Sequence, residues 1–184
     1  MISSDRAQNV IVSFVIVAAV VSSVLLVGNA NYYSGSYVLA GRLEVSIVET
    51  VVSDLAPAND SIYPVIAFII NFRTDSPTEG NVQLTAIYAS VFLNDDLLSY
   101  TPFNKDISND AKRLLHPAYN SNFTLATRIN SNTDRTTILQ ADSSETWNWY
   151  LDLRYEFITF NEPRSLTRIY LSFNWTGSTT VIYY

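Results

Sequence analysis

The 184-residue chain contains no cysteine. Disulfides, thiolate metal sites and a cysteine nucleophile are therefore excluded. The absence also weighs against a small secreted scaffold held together by bridges. Histidine is almost missing as well: His116 is the single one, directly before Pro117 in a loop-like stretch. A Ser-His-Asp arrangement would have to use it, yet no G-x-S-x-G accompanies it. H-E-x-x-H, which would supply zinc ligands on one helix, is also absent. The five glycines are dispersed, so there is no Gly-rich phosphate loop. No catalytic residue, metal site or cofactor is expected, and the chain reads as a non-enzyme.

Charge is scarce too. Charged residues make up 15% of the chain, against about 25% in ordinary soluble domains. The formal net charge is −6 and the pI about 4.6. The 11 basic residues are spread from Arg6 to Arg168. Binding to nucleic acid draws on clustered Lys and Arg, so it is not expected. Hydrophobic residues reach 48% and mean hydropathy is +0.11.

Much of that excess is concentrated at the start. Residues 10–27 read VIVSFVIVAAVVSSVLLV, without one charge. Eighteen helical residues span about 27 Å, close to the roughly 30 Å of a bilayer's hydrocarbon core. The expected organisation is a short cytoplasmic N-terminus over residues 1–9, a transmembrane helix over 10–27, a linker over 28–41 and an extracytoplasmic domain over 42–184. Arg6 precedes the span and the next basic residue is Arg42, which favours the N-terminus inside and the domain outside. The expected location is thus the cell membrane, single-pass, with the bilayer as partner through residues 10–27. Tyr32 and Tyr33 fall where an interfacial aromatic belt would lie. Two other readings of the run are a buried core helix and a cleaved secretory signal with small residues at Gly28-Asn29-Ala30. Residues 29–41 (NANYYSGSYVLAG) read as a connector with little structure of its own.

Beyond Arg42 the pattern is that of strands. Trp147, Trp149, Leu151, Leu153, Tyr155 and Phe157 alternate with Asn148, Asp152, Arg154 and Glu156. Residues 166–175 repeat the alternation with Ile169, Leu171, Phe173 and Trp175. Period two marks an antiparallel sheet with one buried and one wet face. Further runs fall at residues 43–52, 63–72, 82–93, 123–129, 136–139 and 179–184, and residues 106–115 suggest a short helix. The fold class expected is all-β: an antiparallel β-sandwich of seven or eight strands, immunoglobulin- or fibronectin-like, behind one transmembrane helix.

Three Asn-x-Ser/Thr sequons occur at Asn59, Asn122 and Asn174, and each is a candidate glycan acceptor in a translocated domain. Asn59 lies in the loop-like Ala56-Pro57-Ala58-Asn59-Asp60, and Asn174 falls on a solvent face by the alternation. Carboxylates come close in sequence at Asp95-Asp96 and at Asp106 with Asp110; these are the positions a calcium loop would use, although EF-hand spacing is missing. Tyr150 and Tyr170 fall on otherwise polar faces, as contact residues or as cross-strand partners.

Two resemblances follow from particular residues. Residues 63–98 read YPVIAFIINFRTDSPTEGNVQLTAIYASVFLNDDLL and resemble the first half of a domain of the LEA14 type, the water-stress and hypersensitive-response (WHy) class. Asn71 matches the asparagine that ends that class's apolar strand, and Val91, Leu93, Asn94 and Leu97 match its later run. The class places Pro directly after the Asn; here Pro77 comes later. This resemblance implies a β-sandwich with a binding or protective role and no catalytic residues. The start of the chain resembles the leader of archaeal type IV pilins. Arg6-Ala7-Gln8 matches the basic–small–Gln pattern cut by prepilin peptidases, with cleavage between Ala7 and Gln8 and an apolar helix directly after. The glutamate common a few residues past that cut is replaced by the stretch Asn9-Val10-Ile11-Val12-Ser13. The two functional expectations are an anchored envelope protein with a binding or structural role, and a pilin-like or archaellum-associated subunit assembling with identical copies. The cysteine-free, Asn/Ser/Tyr-rich make-up suits an archaeal envelope.

Overall fold

The computed structural model describes residues 4–98 and 103–184. The first three residues of the expected cytoplasmic segment lie outside that range. One helix, α1 (Ser4–Gly41), runs unbroken for 38 residues, about 57 Å. The connector expected to lack structure over 28–41 is therefore helical. Its tyrosines, serines and alanine carry no proline stop, and contacts made further on hold its last turns.

Strands follow in the order β1 (Glu44–Leu55), β2 (Val65–Arg73), β3 (Val82–Leu93), β4 (Asp96–Leu97), β5 (Phe103–Asp106) and β6 (Asn120–Arg128). A second helix, α2 (Asn132–Ser143), then leads to β7 (Trp149–Thr159), β8 (Thr167–Trp175) and β9 (Thr179–Tyr183). One sheet has the order β6-β2-β1-β9. In the other, β3 pairs with β7 and β7 with β8, while β4 and β5 both pair with β3.

The two sheets pack face to face around one core. Ile66, Phe68, Ile70 and Phe72 alternate inward along β2 and are fully buried. Leu151, Leu153 and Tyr155 do the same along β7. Edge-to-face rings join the layers: Phe68 meets Trp149 at 5.3 Å and Phe72 meets Tyr155 at 5.3 Å between centroids, a favoured aromatic geometry. The alternation read in residues 146–160 and 166–175 thus has its inner and outer faces as expected, with Trp147 only partly covered.

Several details differ from expectation. β9 pairs with β1 in parallel, so the domain is not purely antiparallel: the chain leaves β8 and crosses to the other sheet. Residues 136–139 form part of α2, not a strand. Their β-branched content favours a strand locally, but Ser131 accepts hydrogen bonds from the Thr133 and Asp134 amides and caps a helix. Ile138 and Ala141, one helical turn apart, are then both buried. Only Ala111–Arg113 of residues 106–115 turns, as a single 3-10 turn, and Asp106 ends β5. Among the described residues β4 and β5 are additional short strands. Asn94 and Asp95, with φ of 51° and 71°, make the two-residue turn between β3 and β4 that right-handed strand twist favours.

Arg135 of α2 is buried and grips the β1–β2 loop. Its guanidinium donates to Asp60 Oδ1 at 2.9 Å and to the carbonyls of Ala56, Asn59 and Ile62 at 3.0, 3.2 and 3.3 Å. Arg135→Met keeps the aliphatic bulk and removes four charge-assisted bonds. It is expected to destabilise the domain by about 2–4 kcal/mol and to open residues 56–62 to protease. Arg135→Lys, which lacks the fork, should fall between; urea denaturation and limited proteolysis read both. A wild-type urea midpoint in Arg135→Met would show that the loop is held by other groups.

Candidate functional site

The features that set this chain apart gather at the helix and where it meets the domain. Along residues 10–27 the apolar side chains project into open space, from Val12 at 50% to Phe14 and Leu26 at 73% exposed. The helix is long and apolar enough to cross a membrane, and none of its most apolar window is covered by the domain. A core helix would be covered, so that reading falls. In lipid the helix also satisfies each backbone group internally.

The last turns of α1 are seated on the domain. Gly35, Ser36 and Leu39 are buried. Ser36 Oγ accepts from the Asn81 amide at 2.9 Å and donates to the Tyr32 carbonyl at 3.1 Å. The backbones approach so closely that a Cβ on Gly80 would lie 2.6 Å from Ser36 Cα. A Cβ on Gly35 would collide with the Glu79 carbonyl oxygen. Tyr33 and Tyr32 lie against Phe160, with centroids 4.3 and 6.0 Å apart. Phe160 itself holds φ at 56° in the β7–β8 turn, a costly conformation for an aromatic residue, and its amide donates to the Asn81 carbonyl at 3.1 Å. The two tyrosines thus serve as docking groups. The sequence alone suggests an interfacial belt for these tyrosines, inside a connector with little structure, because Gly35-Ser36, with no apolar periodicity around it, has the composition of a loop.

The residues singled out by sequence are dispersed. Ala7 and Gln8 lie in the first turns of α1. The sequon asparagines Asn59, Asn122 and Asn174 are all exposed. Asn59 accepts from the Ser61 amide at 3.0 Å, in the loop that Arg135 grips. Asn122 stands on β6, where its Oδ1 accepts from Asn71 Nδ2 at 2.6 Å. Asn174 stands on β8, opposite Tyr150. His116 is exposed; Nδ1 lies 2.9 Å from the Pro117 carbonyl and the ring tilts against Tyr119. Asp95 and Asp96 belong to the β3–β4 turn. Asp106 accepts from the Ser108 amide and hydroxyl at 2.8 and 2.6 Å, which pulls its carboxyl below the ordinary range. Asp110 accepts from the Lys112 amide at 2.9 Å. The carboxylates of Asp106 and Asp110 are thus each engaged in a local turn, and no group of three or more His, Asp or Glu that could hold a metal ion occurs among the described residues. Tyr150 donates to Asp152 at 2.7 Å, and Tyr170 is 69% exposed.

No family model matches the chain, and no curated protein does. Among solved structures, a protein from Archaeoglobus fulgidus aligns over 72% of this chain and 91% of its own, at 8% identity and a TM-score of 0.41.

Proposed function

We propose that this protein is a membrane-anchored extracytoplasmic β-sandwich, of the LEA14/WHy type, with a binding or structural role at the cell envelope. The observation that carries this reading is the single helix: apolar and uncovered over residues 10–27, then continuous into a seat on the domain. Such a helix holds the domain at a fixed height and angle above lipid. An unbroken helix through Gly28-Asn29-Ala30 favours a retained anchor over a cleaved signal.

Because the chain has no cysteine, single substitutions report topology cleanly. Ser61→Cys in the β1–β2 loop is expected to react with a membrane-impermeant maleimide on intact cells, and Asn9→Cys only after lysis. Reaction of Asn9→Cys alone on intact cells would invert the topology, and recovery of the intact chain in the soluble fraction would remove the anchor.

A second reading, a pilin-like subunit, is favoured by one further observation: the leader-like Arg6-Ala7-Gln8 feeds a helix whose far end is fused rigidly to the domain, the unit a helical filament needs. The mass of the N-terminus from native membranes decides. A chain beginning at Gln8 supports the subunit, and one beginning at Met1 or Ile2 supports the anchor.

A further inference from the structure

The outward face of the β3–β7–β8 sheet carries an ordered pattern unused by the anchor. Strand register sets Asn104, Tyr88, Arg154 and Tyr170 in one row across β5, β3, β7 and β8. The next row is Ser90, Asp152 and Ser172. These two rows line an open cleft of about 520 Å³. Three strand spacings give it a length of about 14 Å.

Its chemistry is prearranged. The Arg154 guanidinium lies 4.1 Å above the Tyr88 ring centroid, a cation–π contact that holds it flat. Its Nε is buried, 3.5 Å from Glu156 Oε1 and without a hydrogen bond, because Arg168 Nε takes that oxygen at 2.9 Å. Among the described residues the two Nη groups of Arg154 make no hydrogen bond, and Arg154 lines the cleft. Asp152 is fixed through one oxygen, which accepts from Tyr150 at 2.7 Å and Ser172 at 2.8 Å. Tyr170 presents its ring to solvent.

The cleft itself is lined by one carboxylate, Asp152, and one guanidinium, Arg154. Glu156 pairs with both Arg154 and Arg168, and Asp106 stands in the same row as Glu156, so the face has no excess of positive charge to select anions. β8 and β5 are outer strands of this sheet, but the cleft opens across the side chains of its face and not along a backbone edge, which is where a peptide strand would extend the sheet. A neutral ligand with C–H faces to lie on tyrosine rings and hydroxyls to meet both a carboxylate and a guanidinium satisfies each group at once. We propose that this face binds a neutral oligosaccharide, stacked on Tyr170 and hydrogen-bonded by Asn104, Asp152 and Arg154. This deepens the binding role at the envelope and rests on that reading for where the glycan is met.

The test uses full-length protein in a detergent with a polyethylene-glycol head group, since sugar detergents would compete. Saturation-transfer NMR is run with cellohexaose, mannohexaose and chitohexaose, and with dextran sulfate as the charged control. At least one neutral hexaose is expected to bind in the millimolar range or tighter. Tyr170→Ala and Asn104→Ala, both at exposed positions, should each weaken it about tenfold with the urea midpoint unchanged. A variant carrying Asn59→Gln, Asn122→Gln and Asn174→Gln should bind equally, which places the glycan on another molecule. The proposal is overturned by any of four results: no neutral hexaose bound, unchanged binding in Tyr170→Ala, preference for dextran sulfate, or loss of binding in the triple variant. Purified protein gives these results whatever its topology in cells, so a failure here and a failure of maleimide labelling are distinct.

Discussion

Trp149→Ala is expected to lower the stability of the domain by about 3–5 kcal/mol, the range for emptying a large aromatic site in a core. Trp149 is 2% exposed. Its ring meets Phe68 of the opposite sheet edge-on, at an interplanar angle of 88°, and stacks with Trp147 at 5.9 Å. Nε1 donates to Thr179 Oγ1 at 3.0 Å, so a residue of β7 ties down the strand that crosses into the other sheet. One side chain therefore joins three strands in two layers. With total stabilities of about 5–15 kcal/mol for domains of this kind, the variant should be close to unfolding. At about 1–3 kcal/mol per molar urea, the midpoint should fall by roughly 2 M. Trp149→Phe keeps an aromatic face towards Phe68 and loses the Thr179 bond, so about 1–2 kcal/mol is expected. A loss under about 1 kcal/mol in Trp149→Ala would mean that the sheets do not close on this residue as described.

The core was readable because burial imposes a period. Residues 149–157 show their inner face in the order of their side chains, and strands form over Val82–Leu93 and Val65–Arg73 where the apolar runs fall. What was not readable has a common origin: a local signal overridden by, or dependent on, a distant contact. Thr136, Thr137 and Ile138 have strand propensity, but Ser131 and Asp134 stand three residues apart as a helix start, and this capping pattern was the available clue. The parallel pairing of β9 depends on a crossover between sheets, which no period within residues 179–183 encodes. Phe103–Asp106 is too short and mixed to announce a strand and forms one because β3 offers a free edge.

The candidate sites divide in the same way. Exposure of Asn59 follows from loop composition and that of Asn174 from alternation; Asn122, on β6, carries no such signal. Nor does the row joining Tyr88, Arg154 and Tyr170, because those residues come from three strands and only the register brings them together. The alternation puts Arg154 and Tyr170 on outward faces of their own strands; Tyr88 carries no such signal, and no spacing in the sequence relates the three. Asp95-Asp96 and Asp106 with Asp110 look alike as neighbours in sequence, yet the first two share one hairpin while Asp106 and Asp110 cap separate turns.

The seat of α1 is where the reading of function meets its strictest mechanical test. Gly35→Leu places a branched side chain where even a Cβ collides with the Glu79 carbonyl, and backbone cannot yield as a flexible side chain would. Gly80→Val meets Ser36 Cα, N and Oγ at 2.6–2.8 Å from its first carbon. Overpacking of this kind costs about 1–3 kcal/mol, and the contacts at risk are few: the Ser36–Asn81 bond, buried Leu39 and the tyrosines on Phe160. The helix should therefore lift from the domain; because buried Leu39 belongs to the core, urea stability should fall by about 1–3 kcal/mol while the two sheets stay folded. Spin labels at Asn31→Cys and Thr124→Cys, in a chain with no other cysteine, measure the separation directly. Wild-type protein is expected to give one narrow distance distribution, and Gly35→Leu a broad one. Protease should also cut between Tyr37 and Arg42 only in the variant. A narrow, unshifted distribution in Gly35→Leu would show that the seat does not fix the helix, and the domain would then be a tethered module with no set orientation over the bilayer. A broad one shows that the angle between helix and domain is built into two glycines and a serine, which the filament-subunit reading requires and the anchored-domain reading uses to orient the domain.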